Sequence, residues 1–339
     1  MKPAAGLVAV LIGGLTIVAC GDSGTTVQPS DTGVADGTAA TSDAPSLPVT
    51  VIDSTRTEVT ISSVDRIVPV DGDLAEIVFA LGLGDRVVAT DISATYPSEV
   101  DAVPDIGYQR ALNAEPIAAV EPSVVLATDL ARPVETLEQL RMLGIAVVVI
   151  EREASLAGPA AKIRAVAEAL GVPGRGEVLA NAVQADIDAA REAASAVGVR
   201  PRVLPLYLRG ESVQLILGKG TGIDAVLPAV GATDVAAELG IVDTRQITAE
   251  ALLLARPDVL LVTTTGLESV GGIDGLLAIP GIAETPAGQH RRIIAHEDQF
   301  LLGGGPRTGQ LMRQLVAELH PAGDTQAFPQ TSTPPVSDS

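Results

Sequence analysis

Two tyrosines in this chain are each followed, two residues later, by an arginine: Tyr108 with Arg110 in GYQR, and Tyr207 with Arg209 in LYLRG. The pairing matters because aromatics are scarce, with three Tyr, three Phe and no Trp. Deprotonated, a phenol is a hard anionic oxygen donor. Its free pKa is about 10, so a nearby cation must favour the anion, and each arginine is placed to do so. Tyr207 and Arg209 end a strand-like run, and alternation sets both side chains on one side. The ends of strands are where an α/β sheet presents residues to a crevice. The plainer alternative for Tyr108 is a ring packed at a rim with its hydroxyl in water. The third tyrosine, Tyr96, precedes Pro97 and reads first as a structural loop residue.

Other chemistries find less support. His290, His296 and His320 lack paired metal-ligand spacing. No G-x-S-x-G, H-E-x-x-H or phosphate-loop pattern occurs. The run LGGGPRT, ending in Arg307 and Thr308, lacks the Lys-Ser/Thr of a phosphate loop and reads as a turn before a last helix. A net charge of -20 argues against a nucleic-acid partner, which needs basic surface. The single cysteine, Cys20, excludes an intramolecular disulfide framework. It follows Lys2 and an apolar run from Ala4 to Val18, the pattern of a secretory signal. Ile17-Val18-Ala19-Cys20 resembles the bacterial lipobox, in which the cysteine becomes the lipidated first residue. The run is shorter than the roughly 20 residues of a membrane span. The expectation is a signal over residues 1–20 and a lipid anchor at the extracytoplasmic face of the cell membrane.

These residues need elements to hold them. Residues 21–58, rich in Gly, Ser, Thr, Asp and Pro, read as a disordered tether, and 321–339 as a disordered tail. Between them, apolar strand-like runs alternate with helical segments. This predicts a first lobe over 59–158, linking helices over 159–198 and a second lobe over 199–320, with buried and mostly parallel sheets. An internal repeat supports two similar lobes: Asn113–Thr128 and Thr248–Thr263 both read cap-Ala-Glu, apolar helix, proline break, then a Val/Leu strand ending in Thr. The linker's second helix, about Arg175–Val197, is long enough to bridge the lobes. The predicted class is α/β: two Rossmann-like lobes joined by a long backbone helix.

Residues 65–320 resemble the helical-backbone class of ABC-transporter substrate-binding proteins, and within it the hemin-binding members. The matching segments are VDGDLAEIVFALGLGDRVVATD from Val70, PDIGYQRALNAEPIAAVEPSVVLATD from Pro104, LYLRG from Leu206, and IPGIAETPAGQHRRIIAHEDQFLLGGGPRT from Ile279. Two departures stand out. Asp71-Gly72-Asp73 replaces a common Gly-Gly-Ser or Gly-Gly-Asp, and Gly304 stands where a bulky Phe is common.

The resemblance implies hemin as transported ligand and an ABC permease as partner. It makes Tyr108 and Tyr207 axial-ligand candidates for ferric haem, where tyrosine is a known proximal ligand. Arg110, Arg209, Arg307 and Tyr96 become pocket and propionate candidates. Two tyrosines would depart from relatives that pair Tyr with His, which leaves open whether both bind iron or one lines the pocket. Glu115 and Glu250, at equivalent places in the repeat, are expected to dock on the permease, although helix-dipole electrostatics alone also favour acid there. A siderophore or cobalamin is the rival cargo. A surface hydrolase with a carboxylate pair is the competing class; no catalytic residue is assigned.

Overall fold

The computed structural model describes residues 44–321. The expected signal with Cys20, the stretch 21–43 and the tail beyond Pro321 lie outside the described residues. The sequence reading ends the tether at residue 58, and this is corrected. The described chain starts at residue 44 and pairs β1 (Val49–Ile52) antiparallel with β2 (Glu58–Ile61). The alternation that causes this is short: Val49 and Val51 pack on the core while their neighbours face out. Asp53 then fixes the turn. Its carboxylate accepts from the backbone of Thr55 and Thr57 at 2.9 and 3.0 Å and pairs with Arg141 at 2.9 Å.

The first lobe comprises β3 (Ile67–Pro69), α1 (Gly72–Ala80), α2 (Ala114–Ala119), β4 (Val124–Thr128), α3 (Val134–Met142) and β5 (Ala146–Ile150). β3, β4 and β5 form a parallel sheet in that order. Every residue of β4 is buried, as a strand covered on both faces requires. Asn113 caps α2 by accepting from the Glu115 N–H at 3.1 Å.

α4 (Gly158–Ala169) and the 23-residue α5 (Pro173–Ser195) lead to the second lobe. It contains β6 (Arg202–Arg209), β7 (Val213–Leu217), α6 (Ile223–Ala229), β8 (Thr233–Asp234), α7 (Val235–Glu238), β9 (Thr244–Gln246), α8 (Ala249–Ala255), β10 (Val259–Thr263), α9 (Thr264–Ser269), α10 (Gly272–Ala278), α11 (Pro286–Gln289), β11 (Ile293–His296), α12 (Asp298–Leu302) and α13 (Thr308–Leu319). The strand order is β11-β10-β6-β7-β9, with β8 beside β6. β6, β8, β10 and β11 run parallel, whereas β7 and β9 add an antiparallel edge. The repeat is visible in space: α2 leads into β4 and α8 into β10, and Thr248 caps α8 through the Ala251 N–H at 3.1 Å.

One apolar core runs through both lobes. It includes Ile67 and Leu126 of the first sheet, Ile187 of α5, Val203 and Val259 of the second sheet, and Leu311 and Leu315 of α13. Burying each such side chain contributes about 1.5–3 kcal/mol. The long helix is therefore a shared wall of the core, and the two strand-end faces are held over one cleft.

Candidate functional site

The two Tyr-x-Arg motifs meet. Gly107 adopts φ 97°, a left-handed conformation that favours glycine, and its N–H binds the Asp105 carboxylate at 2.6 Å. The chain turns there and leaves Tyr108 36% exposed. The loop is pinned to the segment after β4, because the Arg132 N–H donates to the Gln109 carbonyl at 2.8 Å. From the other lobe, Leu206 and Leu208 of β6 are buried while Tyr207 and Arg209 stand half-buried on the opposite face. Across the cleft Tyr108 comes close enough to Tyr207 to bear on its phenol. Burial pushes the Tyr207 phenol above its ordinary pKa; Arg209 opposes that shift, while Tyr108 adds to it.

Two of the three candidate arginines are ion-paired. The Arg209 guanidinium lies 4.3 Å from the Tyr207 ring centre and is ion-paired with Asp298. It also donates to the Leu208 carbonyl at 2.7 Å. Arg307 is paired with a buried acid. Its fork binds both oxygens of buried Glu76 at 3.0 and 2.9 Å, and its plane lies 3.9 Å from the Tyr96 ring centre. Tyr96, 45% exposed, is thus backed by Arg307 at the rim. Arg110 is exposed and has no carboxylate partner among the described residues.

Around Lys162 and Arg307 lies a charged seam that sequence reasoning missed. Asp71, Asp73, Glu76 and Asp91 are all buried, as is Lys162. Lys162 on α4 pairs with Asp73 and also donates to the Gly303 and Gly304 carbonyls at 3.1 and 3.3 Å. Gly304 holds φ 61°, so the glycine that departs from the common Phe belongs to a backbone turned to bind an ammonium. Gln299 of α12 donates to the Gly72 carbonyl and to Glu76, and accepts from the Thr95 and Tyr96 N–H groups, at 2.8 to 3.1 Å. Four carboxylates face two cations here, and burial raises three of the acids. Asp91 is pushed up to about 6 by burial, against the hydrogen bonds from Ser93. Asp71 is raised well above the carboxylate range by burial and by repulsion from Asp73. Glu76 is raised by burial, which the Arg307 fork partly offsets. The only hint in the sequence was the acid-rich Asp71-Gly72-Asp73.

Glu115 and Glu250 lie away from this seam, exposed in the first turns of α2 and α8. The histidines stand apart. His296 is buried against Glu318 at 2.9 Å, His320 binds the Val230 carbonyl at 3.0 Å, and His290 is exposed. Among the described residues no cluster of three or more His, Cys, Asp or Glu could hold a metal ion.

The family model for periplasmic binding proteins matches residues 67–299. Among solved structures, the chain is similar to the periplasmic heme-binding protein RhuT from Roseiflexus sp. RS-1 in apo form. The identity is 49% over 76% of this chain and 98% of that one, with a TM-score of 0.74. It is similar to the heme-binding protein HmuT at 35% identity over 81% of this chain and 91% of that one, with a TM-score of 0.78. Further HmuT structures carry alanine in place of a histidine, of a tyrosine 99 residues later, and of an arginine two residues beyond that. Among curated proteins, the uncharacterized ABC transporter substrate-binding lipoprotein YvrC of Bacillus subtilis is 27% identical over 81% of this chain and 86% of its own length.

Proposed function

The chain belongs to the periplasmic binding protein family, and from that premise we propose that it captures hemin between its lobes and hands it to an ABC permease for haem and iron uptake. One observation carries the reading: a phenol from each lobe, Tyr108 and Tyr207, brought together across the cleft. Hard anionic oxygen donors suit ferric iron. Hemin entering between them meets an oxygen donor from each lobe, and Arg209 beside the Tyr207 ring stabilises the phenolate. The likeness to RhuT and HmuT supports haem as cargo. Spacing supports the residues. Tyr207 lies 99 residues after Tyr108, and Arg209 two after Tyr207, matching the spacing of the residues replaced in HmuT. By that spacing Tyr108 corresponds to the histidine replaced in HmuT. Lys2, the apolar run and Cys20, together with the likeness to a lipoprotein, support lipid anchoring on the extracytoplasmic face. Glu115 and Glu250 are the proposed permease contacts.

Titration with hemin tests the cargo. Wild type is expected to give a high-spin, tyrosine-ligated spectrum that changes in Tyr207→Phe or Tyr108→Phe. Because a buried phenol must lose its proton to bind iron, affinity falls as pH falls. A spectrum of free or non-specifically bound porphyrin refutes the reading.

A further inference from the structure

Hemin brings two propionates into a chain of net charge -20, so local cations must reverse the potential where they lodge. Two of the arginines nearest the tyrosines are already matched, Arg209 by Asp298 and Arg307 by Glu76. A crevice of about 690 Å³ opens on the first lobe at the ends of β4 and β5. Four arginines line it, Arg56, Arg132, Arg141 and Arg152, against two carboxylates, Asp129 and Glu151. Arg141 is held by Asp53 at 2.9 Å and Arg152 by Asp129 at 2.7 Å. Arg56 and Arg132 are exposed and have no carboxylate partner among the described residues.

Their placement ties the crevice to the tyrosines. Arg132 lies directly beside the Tyr108 loop, for its N–H binds the Gln109 carbonyl at 2.8 Å and its carbonyl accepts from Leu112 at 2.7 Å. Arg56 occupies the tip of the β1–β2 turn at φ 64°, a left-handed conformation uncommon outside glycine. The Asp53 network and a bond from the Ser54 N–H to the Val149 carbonyl at 2.9 Å fasten that turn to β5. A bulky side chain is thus held at a position whose backbone favours glycine. The crevice collects positive charge at the strand ends, where open α/β sheets bind ligands.

We propose that Arg56 and Arg132 receive the carboxylate-bearing edge of the porphyrin and so set a preference for porphyrins that carry acid groups. The assignment rests on the haem reading. Charge-assisted hydrogen bonds from two guanidiniums give a loss of about tenfold or more when both are removed.

The test uses the full chain, hemin, and ferric etioporphyrin, which has the same ring and iron but no carboxylates. Arg56→Ala with Arg132→Ala is expected to weaken hemin about tenfold or more. Etioporphyrin affinity and the tyrosine-ligated spectrum should stay unchanged. Arg56→Lys with Arg132→Lys is expected to recover part of the hemin affinity. Unchanged hemin affinity in the double alanine variant overturns the assignment, as does an equal loss for both porphyrins. Wild type that binds neither porphyrin overturns the haem reading itself, and that result is distinct from a loss confined to the variant.

Discussion

Replacing Asp91 with asparagine tests whether the buried seam is strained by its own charge. Asp91 is 1% exposed, so solvent does little to screen it. Its carboxyl ionises at an ordinary 3.8 when unfolded and at about 6 when folded. Between those values the native state holds the proton, so stability is greatest at low pH and falls as pH rises from 3.8 through about 6. At about 1.4 kcal/mol per decade, the gap amounts to ~3 kcal/mol of strain once the group is ionised. An asparagine there would carry no charge. It would, however, turn a donor toward the Ser93 N–H that now binds a carboxylate oxygen at 3.2 Å, a loss of about 1 kcal/mol. Asp91→Asn should therefore be more stable than wild type by about 2 kcal/mol near pH 7.5, with the advantage gone near pH 4. Urea unfolding at both pH values, compared at equal m, reads this directly. A stability difference that does not change with pH would refute the reasoning, because the strain would then not come from ionisation.

Two further outcomes concern partners and anchoring. Glu115→Ala with Glu250→Ala should leave hemin affinity and spectrum nearly unchanged while permease-stimulated ATP hydrolysis falls; full stimulation by the double variant would leave helix-start electrostatics as the sufficient account of both residues. Cys20→Ala should release the protein from membranes or leave it unprocessed, read by fractionation and N-terminal sequencing; unchanged retention with an uncleaved N-terminus would point to a helix anchor.

The sequence was most informative where structure is local. β4 and β10 are continuous apolar runs, and Asn113 and Thr248 sit where caps belong, so the repeat and both lobes could be read directly. The Tyr-x-Arg spacing likewise survives folding, because strand alternation and a short loop decide it. The antiparallel edge was illegible for a physical reason: β9 is Thr-Arg-Gln, exposed throughout, and only its pairing with β7 makes it a strand. The β1–β2 hairpin was hidden in the same way, by an alternation four residues long in polar surroundings. Charge partners were least visible of all. Arg209 finds Asp298 89 residues away and Arg307 finds Glu76 231 residues away, and such pairs leave no local pattern to read. The Glu76 partner of Arg307, a propionate candidate, was invisible on that account.

The unbroken core from Ile67 and Leu126 through α5 to Val203 and Val259 bears on how a guest leaves. Prising the lobes apart would bare apolar surface at about 25 cal/mol for each Å². Opening the jaws is therefore costly, and a thin, flat guest such as the proposed hemin would ask little of it. On the proposed function, unloading would draw on leverage applied from outside. If Glu115 on α2 and Glu250 on α8 dock as proposed, these exposed acids on the matching helices would be two handles on one stiff frame. A stiff frame turns the spacing of those handles into a ruler, which a transporter with grips at another separation would fail to match.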